Sequence, residues 1–246
     1  MSTVYRPSSA VIVQDLGLIE YETAWKLQNE YAAEIAEGKR SPTLLLLEHP
    51  HVYTFGRKGH AENLLWNEEQ LKQKGISTHW VDRGGDVTYH GPGQLVGYPL
   101  LPLIPLRPDR FQTESSGLED DSGKPFRPDL KSDYVGYVRK LEKTLIAALS
   151  RLGVESGQRS GLTGVWIKKE QFSKIAAIGV KVDARGVSRH GFALNVNPDM
   201  GYWDGILACG LSEPVVSLAD LIEPIPSMAK VKEEVVTAFY EFFLGK

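Results

Sequence analysis

The stretch Arg83-Gly84-Gly85-Asp86-Val87-Thr88-Tyr89-His90-Gly91-Pro92-Gly93-Gln94-Leu95-Val96-Gly97-Tyr98 sets five glycines, a proline and a histidine between two apolar segments. Glycine accepts positive φ and close main-chain approach, at an entropic cost in an ordinary strand. Such a run belongs where backbone must turn sharply or lie against something. It has neither the Gly-Lys-Ser/Thr of a phosphate loop nor a GxGxxG entering a helix. The residues alone leave two readings. One is a loop lining a ligand, to which Arg83, Thr88, His90 and Gln94 offer hydrogen bonds. The other is an elaborate turn, with Arg83 in a surface ion pair and His90 satisfied locally.

Working outward from the run, residues 77–81 read as the strand that delivers it and 94–101 as the strand that leaves it. Further upstream, Val11-Ile12-Val13 opens a strand. Tyr21, Ala24, Trp25, Gln28, Tyr31, Ala32 and Ile35 then keep a helical period that Gly38 ends. Leu44-Leu45-Leu46-Leu47 has the composition of a strand buried on both faces, and the alternating His51-Val52-Tyr53-Thr54-Phe55 is expected beside it. Downstream, Tyr134, Val138, Leu141, Leu145, Leu149 and Leu152 form one helical stripe closed by Gly153. Strands follow at 164–167, 174–182 and 190–196, and a last helix carries Val231, Val235, Val236, Phe239 and Phe243. Strands interleave with three long helices without a regular βαβ beat, so the expected fold is one α+β domain over residues 1–246, with a mostly antiparallel or mixed sheet. Residues 102–131, with five prolines and Glu119-Asp120-Asp121, read as an exposed insertion.

Composition narrows the function. A chain of 246 residues with 42% hydrophobic content can bury a full core. A net charge of −3 does not grip nucleic acid through an overall field, so no nucleic-acid partner is expected. No apolar run is long enough for a helical membrane span, the first seven residues lack a secretion pattern, and no membrane association is expected. Cys209 is the only cysteine, which rules out an internal disulfide and a thiolate-rich zinc site and suits a reducing cytoplasm. The spacing of His49, His51, His79 and His90 spells no metal motif, and no metal is expected.

The run Arg-Gly-Gly-x-x-Thr-Tyr-His-Gly-Pro-Gly-Gln-Leu is similar to the signature of the lipoyl(octanoyl) transferases. Five further blocks resemble that family in its order: Glu48-His49-Pro50-His51-Val52-Tyr53-Thr54-Phe55-Gly56-Arg57, Gly161-Leu162-Thr163-Gly164-Val165-Trp166, Lys174-Ile175-Ala176-Ala177-Ile178-Gly179-Val180, His190-Gly191-Phe192-Ala193-Leu194-Asn195 and Cys209-Gly210-Leu211. The chain departs from the pattern in the length of 102–131 and around Asp183-Ala184-Arg185-Gly186, both expected to be loops.

The resemblance implies the fold of the biotin- and lipoate-protein ligases, with a large mixed sheet, a smaller sheet and packed helices. It implies transfer of an octanoyl group from octanoyl-acyl carrier protein to a lysine of lipoyl domains, those of 2-oxoacid dehydrogenases and the glycine cleavage H protein. A monomer without cofactor is expected. Cys209 is the implied nucleophile and Lys174 its acid/base partner. The implied substrate wall is Arg83, Gly84, Gly85, Asp86, Val87, Thr88, Tyr89 and His90, with Ala177, Ile178, Gly179, Gly191, Phe192 and Ala193.

The chemistry agrees with these residues. Thiol–thioester exchange is nearly isoenergetic and aminolysis runs downhill, so no ATP is required. An unassisted thiol, with a pKa of about 8.5, is only a few per cent thiolate at neutral pH, so a nearby cation is needed. Lys174 opens the apolar Ile175-Ala176-Ala177-Ile178, where desolvation favours its neutral form in turn. Main-chain N–H groups near Cys209, that of Gly210 among them, are candidates for an oxyanion site. Arg57-Lys58, Lys168-Lys169 and Lys181 with Arg185 and Arg189 are candidate surfaces for acidic protein partners. The rivals are an ATP-dependent lipoate ligase, which needs no cysteine, and a non-catalytic acyl-binding module.

Overall fold

Unbroken apolar runs and helical stripes settle most of the architecture. The computed structural model describes residues 11–103, 133–207 and 214–245. Most of the expected proline-rich insertion, from 104 onward, lies outside them, as do Cys209 and Gly210. In chain order the elements are β1 (Ile12–Leu18), α1 (Tyr21–Ala36), β2 (Thr43–Glu48), β3 (Val52–Phe55), α2 (Glu68–Gln73), β4 (Ser77–Trp80), β5 (Val87–His90) and β6 (Gln94–Leu100). After them come α3 (Tyr134–Arg151), β7 (Gly157–Arg159), β8 (Leu162–Lys168), β9 (Phe172–Val182), β10 (Ser188–Asn195) and α4 (Met228–Leu244).

A seven-stranded sheet runs β1-β2-β6-β10-β9-β8-β7, and a three-stranded sheet runs β4-β3-β5. In the large sheet only β1 and β2 are parallel; in the small one β3 is parallel to β4 and antiparallel to β5. Both sheets are therefore mixed. The four leucines of β2 are all buried, as a strand covered on both faces requires. β3, however, does not lie beside β2. β1 and β6 occupy the two edges of β2, and the chain turns away at His49-Pro50 into the small sheet. His49 secures that departure: its Nδ1–H donates to Ile19 O (2.7 Å) and its Nε2 accepts from the Tyr98 hydroxyl (2.8 Å).

Helices α3 and α4 cover one face of the large sheet, with Leu141, Leu145, Leu149, Val235 and Phe239 packed on Val165, Ile167 and Ile175. Tyr134, expected on the α3 stripe, is half exposed, and Tyr137 takes the buried place and meets Phe243. Asp133 caps α3 through the Gly136 N–H (2.6 Å), and Ser227 caps α4. On the opposite face α1 packs through Ala24, Ala32 and Ile35 against Leu45, Leu47 and Val96. The small sheet has its own core of Tyr53, Phe55, Val87 and Tyr89. No helix among the described residues is long and apolar enough to cross a membrane.

Candidate active site

The glycine-rich run turns out to be several devices in series. Residues 83–86 form a loop zipped to residues 56–58: Arg57 N–H donates to Arg83 O (2.9 Å) and Lys58 N–H to Gly85 O (3.0 Å). The same loop lies across the large sheet, because Gly84 N–H donates to Val180 O (3.0 Å). Gly179 permits this approach: a Cβ there would sit 3.0 Å from both Arg83 Cδ and Gly84 O. Residues 87–90 are β5. Gly91-Pro92-Gly93-Gln94 is then a type II turn, with proline second, Gly93 third at φ 84°, and Gln94 N–H closing on Gly91 O (3.1 Å). That turn passes the chain from the small sheet to β6 in the large one.

Strand β9 supplies the opposite wall, and a β-bulge sets its phase. Val165 pairs with Ala176 but the next residue, Trp166, pairs with Lys174, so Ile175 is the extra residue. Ile175 and Ala176, though adjacent, both belong to the apolar core under α3 and α4. In consequence Lys174, Ala177 and Gly179 all border the same cavity, although an unbroken strand would turn Lys174 and Ala177 to opposite faces. Ala177 faces Ala193 across the sheet and Gly179 faces Gly191, giving the cavity a floor of four small residues.

The cavity, about 310 Å³, lies between the large and small sheets, at the lower end of the size range of small-molecule sites. Of the wall read from sequence, Arg83 through Thr88, His90, Ala177 through Gly179 and Gly191 through Ala193 border it, with Lys174 at one end. Tyr89 does not. Strand alternation turns its ring into the core of the small sheet, where its hydroxyl bonds His51 Nδ1 (2.9 Å). Sequence reading missed Tyr21, Tyr98, Trp166, Trp203, His190 and Val215 as lining residues. Trp166 and His190 stand inside quoted blocks, Tyr98 closes the glycine-rich run and Tyr21 opens the first helical stripe; Trp203 and Val215 are single residues with no separate signal.

Arg83, buried at 7% exposure, donates from Nη2 to Thr54 O (2.6 Å) and Oγ1 (2.9 Å) and from Nη1 to Gly84 O (3.0 Å). It ties the 83–86 loop to β3 of the small sheet. Gln94 donates to Tyr89 O (3.1 Å) and Asn195 Oδ1 (2.9 Å), so its Oε1 accepts from His90 Nδ1–H (2.8 Å). That fixes the His90 tautomer with Nε2 free of its proton. Burial, reinforced by His49, holds His90 well below the ordinary imidazole range, and burial brings His49 to about 4. Both are neutral rings at pH 7. His190, at φ 56°, bonds Asp82 Oδ1 through Nε2 (2.7 Å). Burial pulls this imidazole down against the attraction of Asp82. The His190 hydrogen bond, with Lys181 (2.5 Å) and Arg189 (2.8 Å), holds the Asp82 carboxyl far below the carboxylate range. Lys181 and Arg189, two of the residues read as a candidate surface for partners, both pair with Asp82; Arg189 is buried, whereas Lys181 and Asp82 are each 32% exposed.

Chain flanking Cys209 is anchored on both sides. Leu207 N–H donates to Asn63 O (2.8 Å). Beyond the cysteine, Lys174 N–H donates to Pro214 O (2.9 Å) and Val216 N–H to Lys174 O (3.0 Å), while Asn195 Nδ2 donates to Val216 O (3.0 Å). The described arrangement is a narrow slot with a floor of alanine and glycine and a wall of neutral buried rings, with a lysine at one end. It suits a slender apolar group and handling of a proton beside it.

Comparison with known proteins agrees with this geometry. The model of the lipoyl protein ligase A/B catalytic domain matches residues 20–115 and 123–240. An octanoyltransferase of Solibacter usitatus is 45% identical over 209 residues, covering 85% of this chain and 82% of its own. One from Chloroflexus aurantiacus is 39% identical over 232 residues, covering 94% and 93%. Among solved structures, the bipartite lipoate protein ligase of Thermoplasma acidophilum superposes with a TM-score of 0.65 at 17% identity, over 96% of this chain and 85% of its own, a likeness of fold. The chain belongs to the lipoyl protein ligase A/B catalytic domain family, among its octanoyltransferases.

Proposed function

We propose that this enzyme moves an octanoyl group from octanoyl-acyl carrier protein to a lysine of a lipoyl domain, through a thioester on Cys209. The Cys209 thiolate attacks the donor thioester carbonyl; the new S–C bond forms as the C–S bond to the carrier breaks, and the leaving thiolate takes its proton from the Lys174 ammonium, which becomes neutral. The acceptor lysine amine then attacks the acyl-enzyme. Its C–N bond forms, the C–S bond to Cys209 breaks, and neutral Lys174 accepts the proton that the amine sheds. Before the first step, the Lys174 ammonium favours the thiolate over the thiol.

The observation that carries this reading is the hydrogen bonding of Pro214 and Val216, on the return from Cys209, to the main chain of Lys174 at one end of the slot. The slot itself supports an acyl substrate, since burial of each methylene contributes about 0.8 kcal/mol. Acceptors in this proposal are the lipoyl domains of 2-oxoacid dehydrogenases and the glycine cleavage H protein.

The test is incubation with octanoyl carrier protein in the absence of ATP, followed by intact mass. The expected result is one octanoyl group added to the wild type and none to Cys209→Ala. Acylation of a lipoyl domain only when ATP and free octanoate are supplied would overturn the proposal in favour of a ligase.

A further inference from the structure

Trp166 meets Lys174 as a direct consequence of the bulge at Ile175. In an unbulged ladder of the same sequence Trp166 would oppose Ile175; with the bulge, Trp166 and Lys174 are cross-strand partners on the cavity face. The Lys174 stem runs past Gly164, where a Cβ would lie 3.6 Å from Cε and 3.7 Å from Cδ. Its Nζ then stands over the Trp166 ring, 4.7 Å from the centroid. The indole is 1% exposed, so the attraction between its face and an ammonium acts with little water to weaken it. Arg159 on β7 also lies over the Trp166 ring, 5.1 Å from its centroid. Behind Gly164, the buried Glu142 accepts the Gly164 N–H (3.1 Å) together with Arg139 and Gln158 (both 2.6 Å), holding β8 in place.

We infer that Trp166 is the positioning residue for Lys174, its ring face setting where the ammonium rests at the end of the slot. This rests on the reading of Lys174 as the acid/base group. Indole is the strongest of the aromatic faces, phenyl keeps part of the attraction, and an aliphatic side chain keeps none.

Because Cys209 is the only cysteine, its alkylation by iodoacetamide reads, under the proposed function, the placement of the Lys174 cation without any substrate. At fixed pH, Trp166→Leu should alkylate about tenfold more slowly than wild type, with kcat for octanoyl transfer reduced in parallel and KM little changed. Trp166→Phe should recover most of both rates. Trp166→Met, run beside the leucine variant, gives a second aliphatic side chain should the first fail to fold. Adding Trp166→Leu to Lys174→Met should cost nothing beyond Lys174→Met alone. Equal rates for the phenylalanine and aliphatic variants would overturn the inference, as would a further tenfold loss in the double variant. Wild-type alkylation and transfer in Lys174→Met would remove the acid/base role of Lys174 itself, and this inference with it.

Discussion

The two faces of the seven-stranded sheet are filled differently. Under α3 and α4 the packing is almost wholly apolar, and Glu142, the one fully buried charge there among the described residues, is met by three hydrogen-bond donors. On the cavity side stand Tyr21, His90, Tyr98 and His190, small residues that leave space, and a chain of buried hydrogen bonds from His90 through Gln94 and Asn195 to Val216. The first face can relax around a smaller side chain. The second holds groups whose orientation matters as much as their burial. One side of the sheet is thus apolar packing, and the other a hydrogen-bonded framework around a cavity.

The strongest challenge to that division is Phe239→Ala. Phe239 is fully buried and stacks on Phe243 at 4.5 Å, so truncation should cost about 3–5 kcal/mol in denaturant unfolding. Activity per folded molecule should stay at wild type; a large loss of kcat in the folded fraction would show that the helical face reaches the chemistry.

Acid should act on the other face. His49 and His90 are held neutral in the folded chain, with His49 at about 4, whereas in the unfolded chain each protonates near 6.5. Above pH 6.5 both states are neutral and no pH dependence arises. Between pH 6.5 and 4 the unfolded state binds protons that the folded state refuses, so stability falls with acid, by about 1.4 kcal/mol per pH unit for each histidine. His49→Gln should reduce that slope by one histidine's share. An unchanged slope would place the sensitivity elsewhere.

The subtlest probe is Gly179→Ala. Its new Cβ would press on Arg83 Cδ and Gly84 O at 3.0 Å, displacing the loop by tenths of an ångström. Melting should move by the equivalent of less than about 1 kcal/mol, while kcat/KM should fall about tenfold because the acyl wall has shifted. Unchanged kinetics would show that the loop does not gauge the substrate.

The long elements were legible because their patterns are local. The α1 and α4 stripes, the leucine run of β2 and the punctuation of the glycine run all follow from neighbours in sequence. Pairing partners were not: β3 reads like a companion to β2, and only the departure at His49-Pro50 sends it to the other sheet. β5 was hidden within the glycine run. Lys174 could be named through family resemblance, but alternation alone turns it away from Ala177. The residue that corrects the phase, Ile175, has no glycine or proline to advertise a bulge. The sequence leaves His90 and Gln94 either as groups for a ligand or as parts of a turn; Gln94 holds the inner framework, a role visible only once Asn195, far along the chain, is brought beside it.

The bulge in β9 divides that strand into two stretches of opposite parity. On one side of Ile175 odd and even positions exchange their allegiance to core and cavity; on the other they keep it. Lys174 therefore belongs to one count and the small residues beneath the acyl group to another. Substitutions that reshape the floor for a longer or bulkier chain leave the aim of the lysine untouched. A register shift that paired Ile175 with Trp166 and closed the bulge would turn that lysine toward α3. Under the proposed function, single replacements reshape the floor, whereas the aim of the lysine depends on the register of β9 against β8.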